Sequence, residues 1–224
     1  MDVLEAVNRR RSIRAFKSDP VPPDILKKIV ECALRAPSAS NSQPWEFAIV
    51  SGTKLEEIKQ AFVANADKPV ALDMPSALQY PEPWASRRSA VMAGALEKLG
   101  IAREDKAMRM QWTLQGFRLW GAPNVIYLMI ERSFFYIGNG INVWPVFDCG
   151  SITQTILLLA TEYGLGCIPA IQPVLYPDIL RKMLGLPESK LIVLGIPIGY
   201  PDENASINQL RTTREPIDNV AIFY

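Results

Sequence analysis

Four arginines crowd six consecutive residues of this chain, Arg9-Arg10-Arg11-Ser12-Ile13-Arg14, with no acidic residue among them. Guanidiniums packed this closely repel one another unless an anion lies between them. A phosphate, carrying about −1.5 to −2 charges near neutral pH, relieves that repulsion and accepts paired bonds from the planar forks. Ser12 adds a hydroxyl donor to the same stretch. Taken alone, the run also fits a solvated basic loop, which is what most charge runs are. A second stretch, Ala36-Pro37-Ser38-Ala39-Ser40-Asn41-Ser42-Gln43-Pro44-Trp45, sets small hydroxyl and amide residues between prolines. Such a stiff loop, rich in neutral donors and acceptors, suits the heteroatom edge of a planar heterocycle. The same residue types also build ordinary helix-to-strand turns.

What is missing narrows the chemistry. The chain has no histidine, which excludes Ser-His-Asp and Cys-His nucleophile systems, histidine general bases and most zinc and non-haem iron sites, so no metal is expected. It has neither a GxxxxGK[ST] phosphate loop nor a GxGxxG after a strand. An enzyme so composed relies on a bound cofactor for its reactive atoms. Lys+Arg total 24 against Asp+Glu 23, so no general excess of charge points to nucleic acid or an anionic membrane. Cys32, Cys149 and Cys167 are far apart and form no CxxC pair, which suits a reducing compartment. No basic stretch followed by an apolar one opens the chain, and apolar runs such as 191–198 fall far short of the ~20 residues that span a bilayer. The expectation is a cytoplasmic protein without membrane or nucleic-acid partners.

The elements that must position these loops follow from periodicity. Residues 2–10 suit a short amphipathic helix with Val3, Leu4 and Val7 on one side, and the basic run is the loop that follows it. Pro22-Pro23 open a second helix, proline being tolerated at the first position. Its Ile25, Leu26, Ile29, Val30, Ala33 and Leu34 form an i, i+3, i+4 stripe, and Pro37 stops it. A strand is predicted over 45–50, a helix over 53–64, helices over 86–99 and 104–120, and a buried strand over 124–130. Between them, residues 65–85 carry Pro69, Pro75, Pro81 and Pro83 and form an irregular excursion. Asp148 is expected to cap a helix that runs to Tyr163, is ended by Gly164 and is buried on several sides. A short strand over 167–168, a helix over 177–184 and a strand over 191–198 complete the pattern. Without regular βαβ alternation, the class is α+β.

Taken in order, RRSIRAF (10–16), APSASNSQPWEF (36–47), GAPNVIYL (121–128), EYGLGCIPA (162–170), LGIPIGYPD (194–202) and RTTREP (211–216) resemble segments of the nitroreductase superfamily of FMN enzymes. The resemblance implies a single domain over residues 1–224, with a central, mostly antiparallel sheet flanked by helices. It also implies an intertwined homodimer holding FMN in a groove built by both subunits, with residues 65–103 as the variable substrate-pocket region. Carried over by matching motif, Arg10, Arg11, Ser12 and Arg14 would hold the flavin's phosphate, ribityl and pyrimidine edge, and Arg214 would join them at the phosphate. Pro37, Ser38, Ala39, Ser40 and Asn41 would reach the flavin held by the other subunit. Pro169, Ala170, Ile171 and Gln172 would lie along the isoalloxazine and offer a backbone N–H to its N5 side. The helix over 148–163 would be the central dimer helix.

The activity implied is a reductase in which NADH or NADPH passes electrons through flavin N5 to an electron-poor aromatic acceptor, such as a nitroaromatic, in a ping-pong cycle. The flavin carries the chemistry, so no residue of the chain is assigned as catalytic, and the cysteines are fillers of the core. Tyr80, Trp84 and Arg88, with Arg87, would offer the acceptor aromatic surface and positive charge. Alternatively, Trp84 anchors an irregular loop and the arginines are solvated. The segment 104–130 is also similar to the halotyrosine-dehalogenating branch, so reductive dehalogenation is a rival chemistry, as are enone or quinone reduction and flavin binding by a sensor without turnover. Reduction of a flavin can place negative charge at its N1–C2=O locus, which a nearby guanidinium stabilises. Arg14 is the candidate, with a second phosphate clamp as its alternative role. Arg14→Ala is expected to lower the flavin midpoint potential while part of the FMN stays bound; an unchanged potential in a spectroelectrochemical titration overturns the assignment.

Overall fold

A strand buried on both faces shows as an unbroken apolar run, and NVIYLMIE is such a run. It forms β2 (Asn124–Glu131), seven of whose eight residues are buried. The computed structural model describes residues 1–75 and 79–224; positions 76–78, part of the expected variable segment, lie outside the described residues. β1 (Glu46–Ser51) pairs antiparallel with β2 on one side. β6 (Lys190–Gly199) pairs with it on the other, with a bulge at Leu128/Met129, and the short β5 (Gly166–Cys167) flanks β6. The sheet order is β1-β2-β6-β5, every ladder antiparallel, with one parallel bridge from Ser12 to Cys167. A small hairpin, β3 (Tyr136–Ile137) with β4 (Gly140–Ile141), stands apart from it.

Alternation along β2 divides the core in two. Ile126, Leu128 and Ile130 face the layer of α2 (Pro23–Ala33) and α7 (Trp144–Glu162). Val125, Tyr127 and Met129 face α3 (Gly52–Ala64), α5 (Lys106–Phe117) and α8 (Pro177–Leu184). The period of two in a strand requires apolar residues on every position when both faces are covered. α1 (Val3–Arg9), α4 (Trp84–Lys98) and the four-residue α6 (Arg132–Phe135) lie outside these two layers. The α+β class and the antiparallel sheet expected from the sequence are what the chain forms.

Several expectations are corrected. Val3 and Leu4 are 74% and 75% exposed, and α1 buries Ala6 instead, so its apolar side is not packed within the protomer. α7 begins at Trp144 with Pro145 in its first turn, where a missing N–H costs nothing, so Asp148 lies inside the helix and not at its cap. α5 ends before Trp120, because Leu119 and Trp120 take the left-handed φ values 54° and 53°. The hairpin around Gly138 was not foreseen; strands of two residues are too short to carry a period.

A buried carboxylate helps to fasten the irregular excursion. Asp73 Oδ2 accepts from Arg181 Nη2 at 2.6 Å and from the Ile192 N–H at 2.8 Å. Both side chains of the ion pair are nearly buried, and Arg181 also donates to the Lys190 carbonyl at 2.9 Å. Arg181 keeps Asp178 at 3.1 Å and Glu188 at 3.5 Å, so removing Asp73 leaves its charge partly compensated but strips the buried Ile192 N–H of its acceptor, at a cost of about 1–3 kcal/mol. Asp73→Ala is therefore expected to lose about 1–3 kcal/mol in urea unfolding; a loss below about 0.5 kcal/mol means that the excursion is held by other contacts.

Candidate functional site

The basic loop lies against the β5 end of the sheet. Ile13 donates its N–H to the Cys167 carbonyl at 3.1 Å. A Cβ on Gly166 would sit 2.5 Å from Ile13 Cγ1, so only glycine allows the loop to approach this closely. Asn208, buried, ties the loop to the far end of the chain. Its Oδ1 accepts from the Arg14 N–H at 2.8 Å, and its Nδ2 donates to the Ala15 and Asp202 carbonyls at 2.8 Å each. Sequence reasoning missed Asn208, which lies outside every quoted motif.

Arg14 then lines a cavity of about 410 Å³ together with Pro169, Ala170, Ile171 and Gln172. Its guanidinium makes one described hydrogen bond, to the Ser12 carbonyl at 3.4 Å, and burial lowers its pKa. Arg11 Nε is buried without a hydrogen-bond partner among the described residues. Burial lowers the Arg11 pKa first, the charge of Arg211 lowers it further, Glu203 opposes this and Arg9 adds to it. A desolvated guanidinium beside a second one favours an anion as its neighbour. Arg214, expected at this place, is exposed and donates to Thr212 Oγ1 and the Thr213 carbonyl, both at 2.9 Å. It borders a separate cleft of about 650 Å³ between α4 and residues 210–215. The charge that reaches Arg11 is thus that of Arg211, three positions earlier in the same motif. Arg10 lies close enough to Cys167 to act on its thiol, and Ser12 bridges to the same residue.

Along the segment 169–172, the N–H groups are unequal. Pro169 has none, and Ala170 exchanges both of its backbone bonds with Gly195, at 2.9 and 3.0 Å. Gly195 must be glycine, since a Cβ there would meet Pro173 Cβ at 2.5 Å. Ile171 and Gln172 remain as the two that can donate. Trp112 and Trp120 supply the cavity's aromatic wall, and Trp120 packs with Ile168 and Ala170. The left-handed backbone at Leu119 and Trp120 costs on the order of 1–3 kcal/mol per residue and persists because both side chains are buried.

The expected acceptor residues are not gathered here. Trp84 is 54% exposed, opens α4 and lines none of the described cavities. Tyr80 and Arg88 do come together, the guanidinium 5.2 Å from the ring centroid, but they border a second cavity that shares Met92 with the first. Arg87 is paired with Glu215 at 3.0 Å. The aromatic surface beside Arg14 belongs to Trp112 and Trp120. No sequence signal separated these from core tryptophans, because both fall in a helical pattern.

The loop over 36–45 is held by the residue expected to cap α7. Asp148, 1% exposed, accepts from the Ala39 N–H at 3.1 and 3.2 Å and from Ser42 Oγ at 3.4 Å. Ser38 Oγ accepts from the Gln43 N–H at 3.0 Å, and Ser40, Asn41 and Gln43 all take positive φ. Pro37, Ser38, Ala39, Ser40 and Asn41 are therefore rigidly placed, but they do not line their own chain's 410 Å³ cavity. Burial pushes the Cys149 and Cys167 thiols up to about 12, so neither is a nucleophile near neutral pH.

Comparison with known proteins agrees with this architecture. The nitroreductase family model matches residues 7–200. The nitroreductase NfnB of Mycolicibacterium smegmatis is 31% identical over 229 residues, covering 100% of this chain and 94% of its own length. A 4-nitrobenzoate reductase of Pseudomonas putida is 31% identical over 225 residues, 96% of this chain and 92% of its own. The crystal structure of the FMN- and NADPH-dependent nitroreductase NfnB from Sphigopyxis sp. strain HMH superposes with a TM-score of 0.92 at 32% identity, over 100% of this chain and 99% of that one.

The Asp148 anchor can be tested without any ligand. Removing a buried acceptor of backbone N–H groups costs about 1–3 kcal/mol. Asp148→Ala is expected to lose that much stability and to expose the Ala39 amide to fast hydrogen exchange. Unchanged protection at Ala39 would show that the loop holds itself.

Proposed function

The chain belongs to the nitroreductase family, and on that premise we propose that it is an FMN-dependent reductase, fed by NADH or NADPH, that acts on nitroaromatic compounds and works as a homodimer. The observation that carries the reading is the arginine loop: Arg14 desolvated on the wall of a cavity, and Arg11 with an unpartnered buried Nε beside Arg211. These residues fit FMN. Arg11 and Arg211 would hold its phosphate, Arg14 would stand beside the heteroatom edge of its ring, and the N–H groups of Ile171 and Gln172 would face the ring. When bound, the flavin supplies the exchange of an electron pair between a nicotinamide donor and an acceptor.

The chain's own part is binding and electrostatics. Arg14, in a partly desolvated setting, favours negative charge in the cavity more strongly than an exposed arginine does. Trp112 and Trp120 exclude water from one wall and offer flat surface to an aromatic acceptor. No acidic side chain lines the cavity among the described residues, so this chain's own lining offers no carboxylic acid as a proton donor. The free cysteines support a cytoplasmic location.

Two observations favour the homodimer. Apolar side chains remain uncovered on α1 (Val3, Leu4), at the start of α7 (Val143, Trp144, Phe147) and in the tail (Ile222), and exposed apolar surface of this kind suits burial against a partner. The loop 37–41, rigid yet absent from its own chain's cavity, suits a role at the flavin of a second copy.

The purified protein is expected to be yellow, to release FMN on denaturation and to be bleached anaerobically by a reduced nicotinamide nucleotide, with colour restored by a nitrobenzoate. Arg11→Ala is expected to weaken FMN binding by about tenfold or more, corresponding to ~1.4 kcal/mol or more of a charge-assisted contact. A colourless protein that cannot be reconstituted with FMN defeats the reading. A monomer with full FMN affinity defeats its dimeric part.

A further inference from the structure

Next to the Arg14 cavity along α4 lies a larger one, about 830 Å³, between that helix and the start of α5. Three guanidiniums border it, those of Arg88, Arg103 and Arg109, against the one carboxylate of Glu97. None of the three is in an ion pair among the described residues. Arg109 Nη1 donates to the Arg103 carbonyl at 3.0 Å, which joins the loop before α5 to that helix. Arg88 lies over Tyr80, so the cavity already contains one stacked cation and ring. Leu96 and Ile101 add apolar surface to the lining. Met92 borders both cavities, which makes them neighbours along α4.

Size and charge decide what the second cavity receives. A benzoate-sized acceptor is taken up by the first cavity and has nothing with which to fill the second. A cavity of this volume is in the range of ligand sites and holds a nucleoside with its phosphate. Resting on the reductase reading above, we propose that this second cavity receives the adenosine half of the nicotinamide donor, and that Arg88, Arg103 and Arg109 read its 2′-phosphate and so select NADPH over NADH. The 2′-phosphate carries about −1.5 to −2 charges and offers three acceptor oxygens to guanidinium forks. The NADH ribose presents only a hydroxyl at that position. Tyr80 and the Arg88 plane extend a stacking surface to the purine. Tyr80 and Arg88, expected from the sequence to meet the acceptor, are thereby assigned to the donor.

The test uses FMN-loaded protein and two probes that cannot turn over, adenosine 2′,5′-bisphosphate and 5′-AMP, titrated by calorimetry. The bisphosphate is expected to bind about tenfold tighter or more, a difference of ~1.4 kcal/mol. The double substitution Arg103→Ala/Arg109→Ala is expected to abolish most of that difference; both side chains are exposed, so folding and FMN content should not change. In steady state, the same variant is expected to raise KM for NADPH about tenfold, with kcat/KM for NADH and KM for nitrobenzene unchanged. Equal affinity for the two probes in the parent protein overturns the proposal. So does a variant that raises KM for 4-nitrobenzoate alone, which would assign the arginines to an acceptor carboxylate. Yellow protein that is bleached by NADPH yet does not distinguish the probes leaves the reductase reading intact and removes only this one. Colourless protein that cannot be loaded with FMN defeats the reductase reading, and this proposal with it.

Discussion

β2 is covered on both faces, and that requirement shapes the rest of the chain. A central strand with no exposed side needs an apolar layer above and below, which α2 with α7 and α3 with α5 and α8 provide. With both faces occupied, binding surface is left to the ends of the sheet and the segments that pass over them. The arginine loop and the segment after β5 both lie at such a place, joined by the bond from Ile13 to the Cys167 carbonyl. The site is thus a product of what the core excludes.

Close approach at that edge depends on the absence of side chains. Gly166 and Gly195 each have a neighbour that would lie 2.5 Å from an added Cβ, Ile13 in one case and Pro173 in the other. These two contacts press the loop and the 169–172 segment against the sheet from different directions. Either one lost would let a wall of the cavity move outward, and a binding group displaced by about 1 Å loses much of its effect. Placing three arginines in one loop, directly after Arg9 at the end of α1, adds a second tension. Their repulsion is tolerable because Asn208 fixes the backbone and because Glu203 offsets part of the charge at Arg11. The loop remains electrostatically suited to an anion.

Buried carboxylates hold the two irregular segments that periodicity cannot describe. Asp73 fastens the excursion to α8 and β6, and Asp148 fastens the 36–45 loop to α7. In both cases an acidic side chain satisfies backbone N–H groups that no helix or strand would otherwise use. Loops held this way are rigid without being regular, as a binding surface made of backbone requires.

The sequence by itself determined the elements and the kind of chemistry. α8 occupies the residues its pattern predicts, opened by Pro177 and closed at Gly185, and the buried run of β2 announces a strand covered twice. The absence of histidine pointed to a bound cofactor and the crowded arginines were compatible with an anion, while the resemblance of the ordered motifs is what implied FMN. These are local properties, set by proline geometry, side-chain period and charge within a few residues. Tertiary structure alone decided which arginine of the 211–214 motif acts on Arg11, that Asp148 anchors a loop instead of capping a helix, and that Trp112 and Trp120 wall the cavity while Trp84 faces solvent. Each of those depends on residues more than a hundred positions apart or on a helix's rotation against its neighbour; Arg14 and Asn208 are separated by 194 positions. Such pairings are selected by the packing of whole layers, and no short-range pattern records them.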